Sequence, residues 1–503
     1  MSLTVNIHSL ANCQKPASRS SLTLTLPGAQ SWFTLFARKS IHSFLDRAVV
    51  NGHLCVQDSE GEHHFGQYAK GDNTVRLMVH DPNAWKRIFM SGDLGFSEAY
   101  MMGEVEVDDL KAIMDVSSLL HNMSDHVSDW KGYLYAQLWL ENQSHMVGLS
   151  SAVGRVSSVL SALSNAVFGQ TRSQARLNAI ASYDQSNELF KAFLSSEMMY
   201  SCGLWSEAEG GVNGDLESGP FPGDLEAAQL RKIRHVLTKA RVQSGHRILE
   251  FGSGWGGLAI EVSRSLISAS FGLNGGYLSQ AARTFGCEVD TLTLSKEQKA
   301  LAEERVRLAG LEGRVRVHLL DYRDIPAEFE HQFDAFVSIE MLEHVGAHYY
   351  KKYFQLVDFA LKPHNATVVV TSSTFPESRY SGYQAEDFMR RYMWPNSCLP
   401  SATSLVTAAQ AASHGRFTLD GVENHAAHYP RTLRTWGRRL EANLKQDVMA
   451  QTYPALRSTN EYQIFKRKWE YLFAYAGAGF MKGYITCHML TFIRPNDVPA
   501  GLN

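Results

Sequence analysis

From near Arg231 onward, short apolar runs alternate with stretches in which apolar positions recur every three or four residues. The runs predict strands at 247–251, 288–292, 315–320, 333–337 and 367–371. Helices are predicted between them, most clearly at 258–264, 296–309 and 348–361. That rhythm predicts an α/β fold, a parallel sheet wound with helices on both faces. The region from Trp32 to Val116 mixes helix with short strands instead. Residues 53–57 read as a strand entering a turn at 58–61, and 75–79 alternate as a second strand. Asp81-Pro82 then suits the start of a helix near Asn83, because proline's fixed φ fits a first helical turn.

Residues 117–170 read as helical. Within 149–168, Leu149, Val153, Val156, Leu160, Leu163 and Val167 fall on one face. A helix packed on a core, or bridging two domains, is the leading reading of that face. A membrane-surface helix is the second, weakened by the scarcity of Lys and Arg on its polar side. Residues 1–30, rich in Ser, Thr and Leu, read as a weakly ordered lead-in.

A length of 503 residues implies more than one domain. The net charge of −3 gives no reason to expect a nucleic-acid partner. Six scattered cysteines, with no C-x-x-C pair and no metal-ligand spacing, fit reduced thiols in a cytoplasmic setting and predict no metal. No secretory leader and no long apolar run are evident, so any membrane contact is expected to be peripheral.

The strongest local signal is Ile248-Leu249-Glu250-Phe251-Gly252-Ser253-Gly254-Trp255-Gly256-Gly257. A strand ends in a glycine-rich turn that opens a helix, and glycine there lets a ligand approach the backbone closely. A purely structural turn shares this pattern, as do phosphate and dinucleotide sites. The Lys-Ser/Thr pair of a triphosphate loop is missing. The second strand ends Leu292-Thr293-Leu294-Ser295, without the acid that holds a dinucleotide ribose, so an oxidoreductase is the weaker enzyme reading. S-adenosylmethionine asks for less, and Asp321-Tyr322 after the third strand supplies a polar partner for adenine.

Further ordered motifs carry a resemblance. They are Gly92-Asp93-Leu94-Gly95-Phe96-Ser97-Glu98-Ala99-Tyr100, Tyr183-Asp184-Gln185-Ser186-Asn187, Met199-Tyr200-Ser201-Cys202-Gly203 and Glu226-Ala227-Ala228-Gln229. Thr293-Leu294-Ser295-Lys296-Glu297-Gln298, Asp321-Tyr322-Arg323-Asp324, Ser338-Ile339-Glu340-Met341-Leu342-Glu343-His344-Val345-Gly346 and Leu399-Pro400-Ser401 follow. From Trp32 to Ile493 the chain resembles the cyclopropane-fatty-acyl-phospholipid synthases and the related mycolic-acid and sphingolipid C-methyltransferases.

The resemblance implies a Rossmann-like class I S-adenosylmethionine methyltransferase sheet behind a smaller α/β domain of lipid-binding type. The expected division is a lead-in at 1–30, the smaller domain at 31–120, a helical linker at 121–175 and the methyltransferase domain at 176–503. It implies that Tyr200, Ser201, Gly252, Ser253, Gly254, Trp255, Gly256, Thr293, Leu294, Ser295, Gln298, Asp321 and Tyr322 hold S-adenosylmethionine. Ser295 and Gln298 also read as a helix capping box. The implied reaction is attack by an alkene of an unsaturated lipid acyl chain on the donor methyl, leaving a carbocation. Glu340, Glu343, His344, Tyr429 and Cys202, with Tyr349 and Tyr350, are the catalytic candidates. Three apart, Glu340 and Glu343 would share a face if helical, and carboxylates at a helix N-terminus are the structural alternative. His344 reads more readily as a hydrogen-bonded support than as a base.

Bacterial members use a bicarbonate ion as base, and its ligands carry over to Cys202, Glu343 and Tyr429. The family's histidine, however, falls at about Thr371. Ala476-Gly477-Ala478-Gly479-Phe480 stands where many members have a cysteine, and Ser253 where a cysteine is usual. From 252 to 289 there are 37 positions, against about 20 in an ordinary first βα unit, so 265–280 reads as an insertion. A surface loop and a translated intron both explain it. Methylation of a sphingolipid or specialised metabolite, and a non-catalytic lipid-binding relative, are the alternatives to acyl-chain chemistry. Oligomeric state is open, a homodimer included.

Overall fold

The computed structural model describes residues 32–50, 53–66, 74–107, 185–264, 286–382 and 384–494. The lead-in, the linker with its 149–168 face, and the 265–280 insertion lie outside the described residues.

The N-terminal unit runs α1 (Trp32–Ala48), β1 (His53–Asp58), β2 (Gly61–Gly66), β3 (Thr74–Val79), α2 (Asn83–Met102) and β4 (Val105–Val107). Its four strands lie in the order β2-β1-β3-β4, with β1 and β3 parallel. Ala37, Ile41 and Leu45 of α1 recur at helical spacing and bury against Leu54, Val56, Val75, Leu77 and Trp85. Both expected strands are present. β2 was not expected, because Gly-Glu-His-His-Phe-Gly buries only Phe65 and carries no apolar alternation.

The larger unit contains α3 (Asn187–Phe193), α4 (Asp224–Lys239), β5 (Arg247–Phe251), α5 (Gly257–Ser263), β6 (Glu288–Thr293), α6 (Lys296–Leu308), β7 (Val315–Leu319) and β8 (Ala335–Ile339). It continues through α7 (Tyr350–Ala360), β9 (Thr367–Thr374), α8 (Ala402–Ala412), β10 (Thr418–Asn424), α9 (Tyr429–Asn443), α10 (Thr459–Met481) and β11 (Thr486–Ile493). The seven strands lie in the order β10-β11-β9-β8-β5-β6-β7. All five predicted strands occur as neighbours, mutually parallel.

Several boundaries move, and β9 runs on from its expected end at 371 to Thr374. β8 starts at Ala335, since Phe333 makes only an isolated bridge to Leu361 and the Asp334 side chain accepts the Arg247 N–H. The helix expected from 348 opens as a 3₁₀ turn, Ala347–Tyr349, before α7. β11 inserts antiparallel between β9 and β10. β10 is an edge strand with a mostly exposed, polar face, which explains why no apolar run betrayed it. The order in which parallel strands are added reverses at β5, with β6 on one side and β8 on the other. Ligands gather beyond the carboxyl ends of strands at such a switch point.

Candidate active site

The loops after β5, β6, β7 and β8 enclose one cavity with the segment 198–201. Gly252 and Gly254 have φ of +89° and +49°, which a Cβ makes costly. A Cβ on Gly254 would meet no atom within 4 Å, so this turn faces open space. Ser253 Oγ beside it is buried and makes no hydrogen bond to the protein. An orphaned hydroxyl and a glycine cradle together fit a polar ligand with which the turn makes close contact.

Further round the wall, the Ser295 hydroxyl accepts the Gln298 N–H at 3.2 Å, capping α6. The Gln298 side chain takes the Thr293 hydroxyl at 2.8 Å. Asp321 is held by Arg323 at 2.6 Å, and the buried Tyr322 packs on Phe251 and Tyr353. Behind the cavity, Gln229 Nε2 donates to the Ser201 carbonyl at 2.8 Å, and Lys232 Nζ to the Ser201 hydroxyl at 2.6 Å. Burial lowers the Lys232 ammonium to about 8. Burial also lifts the Glu250 carboxyl to about 7, though it accepts the Thr291 hydroxyl and faces Lys232.

A second cavity adjoins the first, and Tyr200, Glu340 and His344 line both. Its wall is largely apolar and aromatic: Phe375, Trp394, Leu399, Leu433, Trp436, Leu472, Phe473, Phe480 and Ile485 contribute. Tyr429, at the start of α9, stacks on Phe480 with centroids 4.0 Å apart. A buried carboxylate anchors α9 from behind: Arg434 meets Asp215 at 2.7 Å and Arg438 meets it at 2.5 Å.

The acids at the junction differ in their surroundings. Glu340 is not on a helix with Glu343, as their spacing suggested: it follows β8 at φ +49°, and Glu343 lies in the 3₁₀ turn Leu342–His344. Glu340 Oε1 accepts the Cys202 N–H at 2.9 Å, and Oε2 accepts the Tyr429 hydroxyl. Burial pushes its carboxyl above the ordinary value, against the pull of Tyr429, Cys202 and Lys232. Glu343 Oε1 accepts the Ser373 N–H, whereas the buried Oε2 has no partner. Burial and the neighbouring Glu340 lift the Glu343 carboxyl to about 8, so it carries its proton at neutral pH. Burial depresses the His344 imidazole to about 4, which makes it neutral and a poor proton acceptor.

Every donor-side residue expected from the sequence lines the first cavity except Gly256, which caps α5 and packs against Ala302. Of the catalytic candidates, Cys202 stands behind Glu340 and lines neither cavity. Tyr349 and Tyr350 also line neither, and Tyr350 is buried with its hydroxyl on the Cys398 carbonyl. Lys232, Glu250 and Trp394 escaped the sequence reading. Lys232 was open to detection, lying one helical turn beyond Gln229 in the Glu226–Gln229 motif. The residues expected to hold bicarbonate do not form its cradle. Thr371, where the histidine would stand, accepts the Glu340 N–H, and Tyr429 and the Cys202 N–H are turned onto Glu340. Outside both cavities, His235, Glu423 and His425 cluster, and there Glu423 also pairs with Lys239.

Coclaurine N-methyltransferase, solved with N-methylheliamine and S-adenosylhomocysteine, superposes with a TM-score of 0.54 at 15% identity, covering 79% of this chain and 98% of that one. A glycine-turn cavity at the switch point of a seven-stranded sheet whose last strand runs antiparallel is the architecture of the class I methyltransferase fold. Tuberculostearic acid methyltransferase UfaA1 of Mycobacterium tuberculosis is 31% identical over 423 residues, 83% of each chain. Cyclopropane-fatty-acyl-phospholipid synthase of Escherichia coli is 29% identical over 412 residues, 81% of this chain and 85% of that one. The mycolic acid cyclopropane synthetase profile matches residues 170–274 and 269–490, and the chain belongs to that family.

Proposed function

We propose that this enzyme transfers a methyl or methylene carbon from S-adenosylmethionine to the double bond of an unsaturated lipid acyl chain. The observation that carries the reading is the shared wall of the two cavities, one lined by a glycine turn together with Ser253, Ser295, Gln298 and Asp321, the other apolar and aromatic. The donor is held in the first by Tyr200, Ser201, the 252–255 turn, Thr293, Leu294, Ser295, Gln298, Asp321 and Tyr322. When bound, it supplies an electrophilic methyl on sulfur. The aromatic cavity aligns the acyl chain and keeps water out, and alignment of two reactants can be worth about 7–11 kcal/mol. Tyr200, Tyr429 and Glu340 face the cation that follows attack, the rings through their π faces.

The division at 31–120, 121–175 and 176–503 belongs to the same proposal, the first unit presenting lipid from a cytoplasmic membrane surface to which the enzyme docks peripherally. No helix among the described residues is long and apolar enough to cross a membrane. Incubation with methyl-labelled S-adenosylmethionine and vesicles of monounsaturated phospholipid tests the reading: label is expected in the acyl chains. Vesicles left unlabelled by an enzyme that binds S-adenosylhomocysteine would reject glycerophospholipid as acceptor. Relatives named both as a methyltransferase and as a cyclopropane synthase keep a branched methyl as the second product reading, and a mass spectrum of the labelled chain separates the two.

A further inference from the structure

The groups that ought to surround a diffusible base surround a side chain of this protein. The Cys202 N–H reaches Glu340 Oε1 at 2.9 Å, and the Cys487 thiol lies 3.9 Å from the same oxygen. The Tyr429 hydroxyl donates to the other oxygen. Thr371 accepts the Glu340 N–H with its carbonyl at 2.9 Å and its hydroxyl at 3.2 Å. That clasp holds the backbone of Glu340 at φ +49°, a conformation natural to glycine and rare for a side chain of this size. The fold therefore keeps a glutamate in a costly conformation and supplies donors to both of its oxygens. A small anion placed among the same donors would press against a carboxylate already there, and two like charges at one site disfavour each other.

We propose that Glu340 is the built-in proton acceptor of the reaction, standing where relatives use a bicarbonate ion. The inference rests on the acyl-methylation reading above. The alkene π pair forms a bond to the donor methyl carbon as the carbon–sulfur bond breaks, its electrons staying on sulfur. The acyl chain is left with one positive charge. Glu340 then removes a proton from the new methyl group, and the freed C–H pair closes the ring. Removal from an adjacent chain carbon gives a methyl-branched alkene instead. In either case the proton ends on the carboxylate and no further reactant is required. The groups facing Glu340 are Lys232 behind it, Cys202 and Cys487 at one oxygen, Tyr429 at the other, and Glu343 across the junction. Donors reach both oxygens of Glu340, whereas Glu343 Oε2 has none, so of the two acids Glu340 is the one built to hold a negative charge.

The test uses the full-length chain with S-adenosylhomocysteine and ¹³C-labelled bicarbonate, read by NMR. The wild type is expected to bind no labelled ion and Glu340→Gly to bind it, the glycine both suiting the backbone and opening the space. With monounsaturated vesicles in carbon-dioxide-free buffer, wild-type turnover should stay within about twofold of that with bicarbonate. Glu340→Gln should lose about 10²–10⁴-fold in rate, the usual range for a general base, at unchanged S-adenosylhomocysteine affinity. Formate should restore part of the rate to Glu340→Gly. Bicarbonate bound by the wild type, about tenfold loss on its depletion, or a Gln variant within tenfold of wild type would each overturn the proposal. If the wild type labels no vesicle at all, the acceptor reading fails, and the ion-binding comparison still decides for or against Glu340.

Discussion

The two cavities that meet at Tyr200 are built from different materials. The donor cavity is shaped by main chain: the turn after β5, the N-terminus of α6 and the ends of β7 and β8. The acceptor cavity is shaped by side chains from four separate segments, β9 and the loop after it, the turn at 389–399, α9 and α10. Main-chain geometry admits few substitutions, because a changed φ moves everything downstream. Aromatic walls tolerate exchange when volume is kept. One half of the site is therefore rigid in what it accepts, and the other is open to retuning within the same fold.

The hardest blow to that contrast is Gly252→Val, which puts a branched side chain at φ +89° with Met341 already 3.4 Å from its Cβ. Strain of this kind costs about 1–3 kcal/mol, so S-adenosylhomocysteine affinity measured by calorimetry should fall by about 100-fold. A fall of less than threefold would mean that the turn is not in contact with the donor. On the acceptor side, Glu343→Gln should leave donor affinity alone and change how stability depends on pH. A carboxyl raised to about 8 binds its proton in the folded state across the interval from about 4.5 to 8, where the unfolded chain has released it. Wild-type stability should then decline as pH rises through that window, and the Gln variant should not, a gap of about 3 kcal/mol near pH 7. Parallel urea-unfolding profiles for the two proteins would refute it.

Tyr429→Phe removes a hydrogen bond to the buried Glu340 carboxyl, worth about 1.5 kcal/mol, so turnover should drop by roughly tenfold. Equal loss of donor affinity would blur the boundary between the cavities. The mildest effect is expected from Trp394→Ala, which strips one aromatic wall facing His344. KM for vesicle lipid should rise by about three- to tenfold, while the affinity for S-adenosylhomocysteine stays constant.

The same contrast explains what could be read in advance. The donor half lies in contiguous motifs at strand ends, where glycine, capping residues and strand runs follow one another closely. β5, β8 and β9 announced themselves as largely apolar runs buried on both faces, and β7, at the sheet edge, by alternation. The acceptor half left no comparable trace: Trp394, Phe473 and Ile485 come together only through tertiary packing. Glu340 was the most misleading residue. A spacing of three from Glu343 pointed to a shared helical face, and no propensity rule foretells a glutamate in a left-handed conformation after a strand. β11 carries an apolar run that passed unremarked, and β10, polar and exposed, had none to offer.

Helix α10 has one further property. Its Arg467 donates to the Tyr100 carbonyl at 3.3 Å and its Tyr471 ring lies 5.8 Å from that of Tyr100, so the N-terminal unit leans on it. The next turns of the same helix carry Leu472, Phe473, Ala476 and Phe480 into the greasy slot, and Tyr392 reaches across to Glu98 at 2.7 Å. The helix works as a strut between the two units: whatever shifts the smaller one at its surface loads the slot directly. Among the described residues, those of the larger unit alone line the slot, and 32–107 buttress it from outside through α10 and Tyr392.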